Sequence, residues 1–357
     1  MISNHQNITS AQVAQAKAVL RKVYAYMTSS DSDAWGMDID RWDWTPGVGL
    51  ISILHSYEAT QEAGTLHYLE RWVERNQEKA ALAKVINSMA PYAVFPELYR
   101  STQRRFFLEE AVKIGDWMLH EAPRTREGAF EHTVTEKANF PEQVWADTIF
   151  MAVLFLARLA ALTGRADYAK EALEQVAVHF RLLQDRDSGV MYHGWNCLQG
   201  DHMSAAKWTR ANAWVVIGFP LIAKELQPMM PIPGELLDRY REMVDGLLGY
   251  RGENGLWHTV MDREDFYQET SGSAGIAAGI ICSVRHGLLD RSYLDKAAPT
   301  FAEVLNRIDE EGQVLGVSGG TPIMKTIEDY NRIPVIPTLY GQGLALMLLA
   351  EMARLEV

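Results

Sequence analysis

Amphipathic segments with a helical period alternate along the chain with segments that are apolar on most sides. The first kind, such as RRFFLEEAVKIGDWMLHEA and ADYAKEALEQVAVHFRLLQD, repeats apolar residues every three or four positions and keeps a charged face. The second kind, such as SGSAGIAAGIICSVRHG and TLYGQGLALMLLAEMA, is rich in small residues and carries little charge. The pattern predicts exposed helices alternating with buried ones, and no convincing set of alternating strands appears.

Similar phrases, each containing a glycine, recur after the amphipathic segments. TREGAFEHTV, RDSGVMYHGW and GENGLWHTVM are three of them, and DEEGQVLGVSGG keeps the glycine of the fourth repeat without its histidine. The glycines, Gly128, Gly189, Gly255 and Gly312, recur at intervals of roughly sixty residues, the length of one antiparallel helix pair with its loops. Each is predicted to end an outer helix as a left-handed C-cap.

A chain of 357 residues holds about six such pairs. We therefore predict an all-α fold, an (α/α)6 barrel in which an outer ring of helices encloses an inner ring, as a single catalytic domain over residues 1–357. An open solenoid is the alternative, but distinct polar end caps, which an open solenoid needs, are missing. In a closed barrel the loops that lead into the inner helices all gather at one mouth.

Several residues with useful chemistry fall at this predicted mouth. His132 and His193 occupy equivalent loop positions in successive repeats, and Asp147 stands at the start of an otherwise apolar run next to Trp145. An acid in a first helical turn can simply complement the helix dipole, and a loop histidine can simply bond backbone groups. An acid partly buried among aromatic rings can instead have its pKa raised into a range useful for proton donation.

Tryptophan and arginine occur together at other predicted helix starts. KWTRANAW contributes Trp208, Arg210 and Trp214, and RWDWTPGVG contributes Trp42. Indole faces stack on sugar rings and a guanidinium pairs with a sugar carboxylate, although core packing and an internal ion pair are the simpler explanations. With ten tryptophans in the chain, the pattern favours a carbohydrate site. Glu269, in FYQETSGSAG, is a second carboxylate near the mouth, for which a structural pairing is the simpler role.

Composition narrows the remaining classes of function. The net charge of −12 and the lack of a Lys/Arg cluster argue against nucleic-acid binding. Two distant cysteines exclude a disulfide scaffold and suit a reducing compartment. The N-terminal segment has no signal-peptide pattern, so we predict a cytoplasmic protein without membrane segments, monomeric or weakly self-associating. No HExxH or paired-cysteine motif accompanies the histidines, so neither a metal nor a cofactor is predicted.

As a set, VWADTIFMA, MYHGW, WTRANAW, NGLWHTVMD with ETSGS, and YGQGLALMLLAEM resemble the unsaturated rhamnogalacturonyl hydrolases of glycoside hydrolase family 105. The unsaturated glucuronyl hydrolases of family 88 are related. The resemblance implies the (α/α)6 barrel that the repeat count also gives. It implies as substrate a small, lyase-generated oligosaccharide whose non-reducing end is a 4,5-unsaturated uronic acid.

The resemblance also implies a role for individual residues. Asp147 protonates C4 of the enol ether as general acid/base, and water then adds at C5. The expected substrate-binding residues are Trp42, Asn87, His132, Trp145, His193, Trp208, Arg210 and Trp214. The sequence departs from the family pattern in that Asn87 stands near the position of a second aspartate and Thr133 at that of a lysine in some relatives.

Three rival functions are compatible with the same residues. An inverting glycosidase would pair Asp147 with Glu269 or Asp43. A sugar epimerase or isomerase would use His132 and His193 facing each other across the pocket. A helical toroid that only binds oligosaccharide or protein would not need Asp147 at all.

Overall fold

The computed structural model describes residues 8–29, 34, 36–136 and 140–356. Residues 1–7, at the start of the N-terminal segment with no predicted signal, lie outside them. In chain order the helices are α1 (Ser10–Ser29), α2 (Trp44–Thr60), α3 (Ala63–Asn76), α4 (Phe95–Thr102), α5 (Arg105–His120), α6 (Leu154–Thr163), α7 (Ala166–Leu183), α8 (Thr209–Leu226), α9 (Gly234–Gly249), α10 (Thr270–Arg285), α11 (Tyr293–Asn306), α12 (Ile327–Tyr330) and α13 (Leu339–Ala353).

The helices form two concentric rings. The odd-numbered helices from α1 to α11 are amphipathic and form the outer ring. The inner ring consists of α2, α4, α6, α8, α10 and α13, with 3-10 turns over Ile86–Val94 before α4 and a π-helical turn over Ile149–Val153 before α6. The outer α3 likewise continues into a 3-10 helix over Gln77–Leu82, and α12 is a short helix in the last loop.

The inner ring closes on itself. Helix α13 packs against α10 on one side and against α2 on the other, and α1 packs against α13 from outside. Small residues allow these close approaches: a Cβ at Gly279 of α10 would lie 2.4 Å from the Val216 carbonyl oxygen of α8. The all-α prediction and the closed (α/α)6 barrel are confirmed, and the open solenoid is excluded.

The four repeat glycines have positive φ angles as predicted, between 77° and 97°, but none of them caps a helix. Each lies several residues beyond its outer helix, in a tight turn; the Gly312 N–H, for example, donates to the Asp309 carbonyl. The predicted C-caps are therefore wrong. Gly189, Gly255 and Gly312 instead lie against the backbone of the next outer helix, α9, α11 and α1 respectively. These contacts link neighbouring repeats, and the last one links the end of the ring to its beginning.

Replacing Gly312 with alanine is expected to lower the free energy of unfolding by about 3 kcal/mol. The new Cβ would lie 2.5 Å from the Lys22 carbonyl oxygen, at a φ of 96° that alanine adopts poorly. Gly128→Ala is the matched control, because it shares a positive φ but meets no atom within 4 Å; about 1 kcal/mol is expected there. Urea unfolding of both variants measures the difference, and equal losses would contradict the proposed contact with α1.

Short strands, which the sequence does not predict, connect the loops at the mouth. They are β1 (Gln143–Trp145), β2 (Gly194–Asn196), β3 (Trp257–His258) and β4 (Gln268–Glu269). Strand β1 pairs with β2 and β3 with β4, both antiparallel. At two or three residues they are too short to show an alternating pattern. Within the part of the chain that the structure describes, no helix has both the length and the apolar character needed to cross a bilayer.

Candidate active site

Pairing of β1 with β2 places Asp147 beside His193. Trp145 lies opposite Gly194 in the antiparallel register, and the Ala146 N–H donates to the His193 carbonyl oxygen at 3.0 Å. The chain then turns into the inner helical segment that begins at Ile149. Asp147 Oδ2 comes to lie 3.5 Å from His193 Nε2, and only 9% of Asp147 is exposed. Residues from two successive repeats thus meet at the mouth of the barrel.

A cavity of about 400 Å³ opens at this mouth. Its lining residues are Trp44, Asn87, His132, Val134, Glu136, Phe140, Trp145, Asp147, Trp208, Arg210, Trp214, Gly320, Thr321 and Pro322. Seven of the nine residues proposed for the site from the sequence are in this set. An eighth proposed residue, His193, does not line the cavity but contacts Asp147, which does. A sugar residue fits a cavity of this size and aromatic character.

Trp42 does not line this cavity, which corrects the sequence interpretation. Its ring packs 5.4 Å from that of Trp72 and 4.9 Å from that of Tyr92, between helices and away from the mouth. Asp43 caps α2 by accepting the Trp44 N–H, so the chain enters the helix at Trp44 and Trp42 falls on the other side of the cap. Trp44 takes the cavity position instead and stacks on Tyr340 at 5.1 Å.

The pKa of Asp147 is opposite in direction to the sequence expectation. Burial among aromatic rings raises it, but the adjacent His193 ring and, more weakly, His132 lower it, and the balance holds the pKa below its usual value. A carboxylate next to a ring N–H is stabilised in its ionised form. With these neighbours Asp147 is a carboxylate at neutral pH.

The two histidines are held by aromatic contacts. His132 stacks on Trp145 with 3.9 Å between ring centroids and 6° between planes, and the His193 ring lies edge-on to the same indole at 5.3 Å. Burial lowers the pKa of His132 to about 3, and burial also lowers the pKa of His193, although Asp147 opposes that shift. Both imidazoles are neutral at pH 7. They flank one indole rather than facing each other across the cavity.

Arg210 is fully buried at the cavity wall and anchors a loop. Its guanidinium donates to the carbonyl oxygens of Ser318 and Gly319 at 3.0 and 2.8 Å and to Thr321 Oγ1 at 3.1 Å. Only its Nε–H lacks a partner among the described residues. The guanidinium stacks over Trp208 at 4.4 Å. The main role of Arg210 is therefore to hold the loop of residues 318–322 in place. Its Nε–H is the one donor left for a ligand.

Glu269 is a structural partner of this arrangement. It is fully buried, caps α10 by accepting the Ser271 and Gly272 N–H groups, and accepts the Ser318 N–H at 3.1 Å. Its Oε1 lies 3.7 Å from the Arg210 guanidinium. Glu269 is not among the cavity-lining residues, which agrees with the simpler of its two predicted roles.

Polar atoms without partners concentrate at this cavity. Buried polar groups normally find a hydrogen-bond partner in the protein or in bound water. Among the described residues, the buried atoms at the site without a hydrogen bond are Asn87 Oδ1, His132 Nδ1, Asp147 Oδ2, His193 Nε2, Trp208 Nε1, Arg210 Nε and Trp214 Nε1. The Asp147 and His193 atoms face each other at 3.5 Å without forming one. Such a group, mixing donors and acceptors between indole rings, is suited to a polar ligand with hydroxyl and carboxylate groups.

Sequence reasoning missed the rest of the cavity wall. Val134, Glu136 and Phe140 come from the loop before β1, and residues 320–322 come from the loop before α12. Neither loop has helical or strand periodicity, and only the glycine pair in SGGTP could have suggested a close approach. His258, the histidine of the GENGLWHTVM phrase, lies outside the cavity with Nδ1 2.6 Å from the Phe266 carbonyl oxygen. Among the described residues, no three His, Cys, Asp or Glu side chains are grouped as metal ligands.

A closed ring of helix pairs with an aromatic cavity around one buried carboxylate places the chain among the helical-barrel enzymes that process carbohydrates. The family model described as Glycosyl Hydrolase Family 88 matches residues 19–356. The chain therefore belongs to glycoside hydrolase family 88, and it is a glycoside hydrolase, as its motifs predict.

Individual relatives agree with this assignment. The chain is 36% identical over 319 residues to the unsaturated rhamnogalacturonyl hydrolase YesR of Bacillus subtilis, covering 88% of this chain and 90% of that one. A crystal structure from Salmonella enterica serovar Paratyphi A, described as a possible member of the GH105 family, superposes with a TM-score of 0.89 at 29% identity. That match covers 96% of this chain and 94% of the other. The predicted resemblance to families 105 and 88 is confirmed.

A more distant structure supports the fold alone. The unsaturated glucuronyl hydrolase of Bacillus sp. GL1 superposes with a TM-score of 0.73 at 19% identity, covering 96% of this chain and 97% of that one. The likeness extends to the whole ring of helices.

Proposed function

We propose that this enzyme removes a 4,5-unsaturated uronic acid from the non-reducing end of short oligosaccharides made by polysaccharide lyases. Rhamnogalacturonan-derived disaccharides are the expected substrates, in line with the name of the Bacillus subtilis relative. The observation that carries the proposal is that Asp147 is the one buried carboxylate among the described cavity-lining residues, with unpartnered donors in the same aromatic cavity. Hydration of an enol ether needs one acid/base group, whereas direct glycoside hydrolysis uses two carboxylates at set spacings.

In the proposed reaction, protonated Asp147 donates its proton to C4 of the C4=C5 double bond. The cation that develops at C5 is shared with the ring oxygen. Water adds at C5 and gives up a proton to the Asp147 carboxylate, which restores the acid. The product is a hemiketal, which opens and releases the aglycone together with a keto acid. Atoms balance with one water consumed.

We assign the uronate carboxylate to the donor side of the cavity. The Nε–H of Arg210 and the indole N–H groups of Trp208 and Trp214 lack partners, and all three residues line the wall. A guanidinium N–H makes a charge-assisted bond to a carboxylate even when its other N–H groups are engaged. His132 and Asn87 remain for the sugar hydroxyls or the attacking water, with Trp44 and Trp145 against the ring faces.

The two rival enzyme functions, an inverting glycosidase and a sugar epimerase, have less support. Glu269 and Asp43 are both occupied: Glu269 in the cap of α10, and Asp43 with the Trp44 N–H, Ser88 and Thr135. An inverting glycosidase would lack its second free carboxylate there, and Glu136 at the rim is exposed. An epimerase with two histidines on opposite sides of the sugar does not match two rings that flank the same indole.

The proposal makes a prediction about pH. Because His193 holds the pKa of Asp147 below its usual value, the free enzyme loses most of the Asp147 proton well below neutral pH, and the small protonated fraction that remains falls further as pH rises. A bound substrate carboxylate and exclusion of water raise that pKa again. We expect the alkaline limb of kcat/KM, which reports the free enzyme, to lie at lower pH than the alkaline limb of kcat. Rate profiles from pH 4 to 9 measure both, and a kcat/KM that rises from pH 5 to 8 would contradict the scheme.

The direct test is the ultraviolet absorbance of the conjugated enol-ether carboxylate. Purified enzyme with a lyase-generated rhamnogalacturonan disaccharide should abolish the absorbance, and the corresponding saturated disaccharide should release no sugar. Unsaturated glucuronyl disaccharides in a parallel arm distinguish the two aglycone classes. Constant absorbance on every unsaturated uronide would refute the proposal, and release of sugar from the saturated disaccharide would favour the inverting glycosidase.

A further inference from the structure

Tyr330 touches the catalytic group only through His193. It ends α12, is fully buried and is not among the residues that line the cavity. Its hydroxyl lies 2.7 Å from Nδ1 of His193, although 137 positions separate the two residues in sequence. The other ring nitrogen of the same histidine, Nε2, is the atom that faces Asp147. A chain of three side chains therefore runs from the last loop of the barrel to the carboxylate.

The hydrogen positions in this chain follow from the partners available. The backbone N–H of Met324 donates to the Tyr330 hydroxyl oxygen at 3.3 Å, so a lone pair of that oxygen is already occupied. Burial raises the pKa of Tyr330 well above its usual value, so the phenol keeps its proton. That proton has an acceptor at 2.7 Å in His193 Nδ1, whereas the nearby Ser204 hydroxyl, which opposes the rise in the pKa of Tyr330, makes no hydrogen bond. A neutral imidazole that accepts at Nδ1 must carry its own proton at Nε2.

We propose that Tyr330 is a positioning residue that fixes neutral His193 in the tautomer with the proton on Nε2, directed at the Asp147 carboxylate. The proposal rests on the function proposed above, in which Asp147 is the acid/base. Its consequence lies in the chemical step. When Asp147 gives its proton to C4, the new carboxylate meets an N–H that is already in place. Donors placed in advance stabilise charge that develops in the transition state without further reorganisation.

The other charged or titratable groups around His193 leave this assignment intact. Asp147 faces Nε2, and the positive charge of Arg210 disfavours protonation of the imidazole. His132, stacked on Trp145, is neutral at pH 7 and adds no charge. With the ring neutral, the only choice left is which nitrogen carries the proton. Tyr330 determines that choice, because its hydroxyl contacts Nδ1.

Helix α12 holds the tyrosine in register. Thr326 and Asp329 form a reciprocal capping box, in which the Thr326 side chain accepts the Asp329 N–H and the Asp329 side chain accepts the Thr326 N–H. The Tyr330 ring packs edge-on to His193 at 5.8 Å between centroids and against Trp208 at 6.2 Å. The hydroxyl is thereby directed at Nδ1 by contacts outside the cavity, which remains free for substrate.

The tautomer can be read directly by nitrogen NMR of enzyme labelled with [15N]histidine. His193→Gln assigns the signal by its disappearance. Wild-type enzyme at pH 7, without substrate, should show a protonated Nε2 and an unprotonated Nδ1 for His193. A protonated Nδ1 in the wild type would overturn the proposal whatever any variant does. The measurement needs no turnover, so its failure is separate from failure of the proposed function.

Tyr330→Phe then tests the role of the hydroxyl. The expected results are a mixed or reversed His193 tautomer, a roughly tenfold loss of kcat with KM nearly unchanged, and an alkaline limb of kcat/KM shifted to higher pH. The shift follows because a weaker N–H contact no longer holds the pKa of Asp147 down. Unchanged tautomer and unchanged pH profile in folded Tyr330→Phe would refute the role.

Tyr240→Phe is the matched control. Tyr240 is equally buried and its hydroxyl bonds the Val216 carbonyl at 2.8 Å and Ser283 at 2.6 Å, away from the cavity. Its loss should lower the unfolding temperature while leaving the His193 signal and the pH profile as in the wild type. If Tyr240→Phe shifted the profile as Tyr330→Phe does, general loosening rather than the tautomer would be responsible, and the proposal would fall.

Discussion

Asp147→Asn is expected to lower kcat by about 10³-fold, because in the proposed reaction one carboxyl group both donates a proton to C4 and accepts one from water. The substitution keeps the size and most of the polarity of the side chain, so the cavity remains lined by the same rings. Binding should therefore change by only a few-fold, measured by calorimetry with the unsaturated disaccharide. Loss of enol-ether absorbance, followed at substrate concentrations above and below KM, separates the two parameters.

Asp116→Asn provides the control for this substitution. Asp116 lies on the outer helix α5, where its carboxylate accepts from Arg165 at 2.6 Å, remote from the cavity lining. Its loss should leave kcat within twofold of the wild type. An Asp147→Asn enzyme with more than a tenth of wild-type kcat would mean that another group supplies the proton, and the exposed Glu136 at the rim would then be examined next.

The fold could be predicted from the sequence because its signals are long and repeated. The outer helices have amphipathic periods over fourteen to twenty residues, which distinguish them from the more apolar inner helices. The spacing of a recurrent glycine phrase gives the number of helix pairs. The role of those glycines could not be predicted. A positive φ serves a helix cap and a tight turn alike, and the turn at Gly312 is fixed by contact with Lys22, almost three hundred positions away.

The sequence predicts which residues line the cavity better than it predicts how they are arranged there. Helix-start positions for Asp147, Trp208 and Arg210 follow from local patterns, and the structure places all three at one cavity. Which of Trp42 and Trp44 lines the cavity depends on where α2 begins, and helix boundaries are the least reliable part of a sequence interpretation. The cytoplasmic location and the oligomeric state stay predictions.

Interactions between distant loops lie beyond sequence patterns altogether. The pKa of Asp147 depends on His193, which reaches it through pairing of two three-residue strands. From the sequence, the Arg210 guanidinium is predicted to bind a substrate carboxylate. In the structure it donates hydrogen bonds to backbone carbonyl groups more than one hundred positions away. The catalytic role of Asp147 therefore stays a prediction, with its pKa shifted opposite to expectation, and the role of Arg210 as a carboxylate ligand stays a prediction beside its observed role as a loop anchor.

Arg210→Met is expected to have the largest effect on stability, lowering the free energy of unfolding by about 3–5 kcal/mol. The substitution removes the cation 3.7 Å from the buried Glu269 and the guanidinium hydrogen bonds to the carbonyl groups of Ser318 and Gly319, which keep only one hydroxyl donor each. Because residues 320–322 form part of the cavity wall, kcat/KM should fall as well, by about 10²-fold. Urea unfolding and the absorbance assay measure the two effects independently.

Two further variants separate charge from loop position. Glu269→Gln in the Arg210→Met background removes the uncompensated charge, so it should recover part of the stability but none of the activity. Arg158→Met removes another buried arginine, which donates to the Ala93 carbonyl at 2.9 Å outside the cavity, and should cost stability with kcat/KM retained. If Arg210→Met were as stable as the wild type, or if the Glu269 substitution restored activity, Arg210 would not be the anchor of the cavity wall. Retained activity with lost stability would instead assign the substrate carboxylate to the indole N–H groups of Trp208 and Trp214.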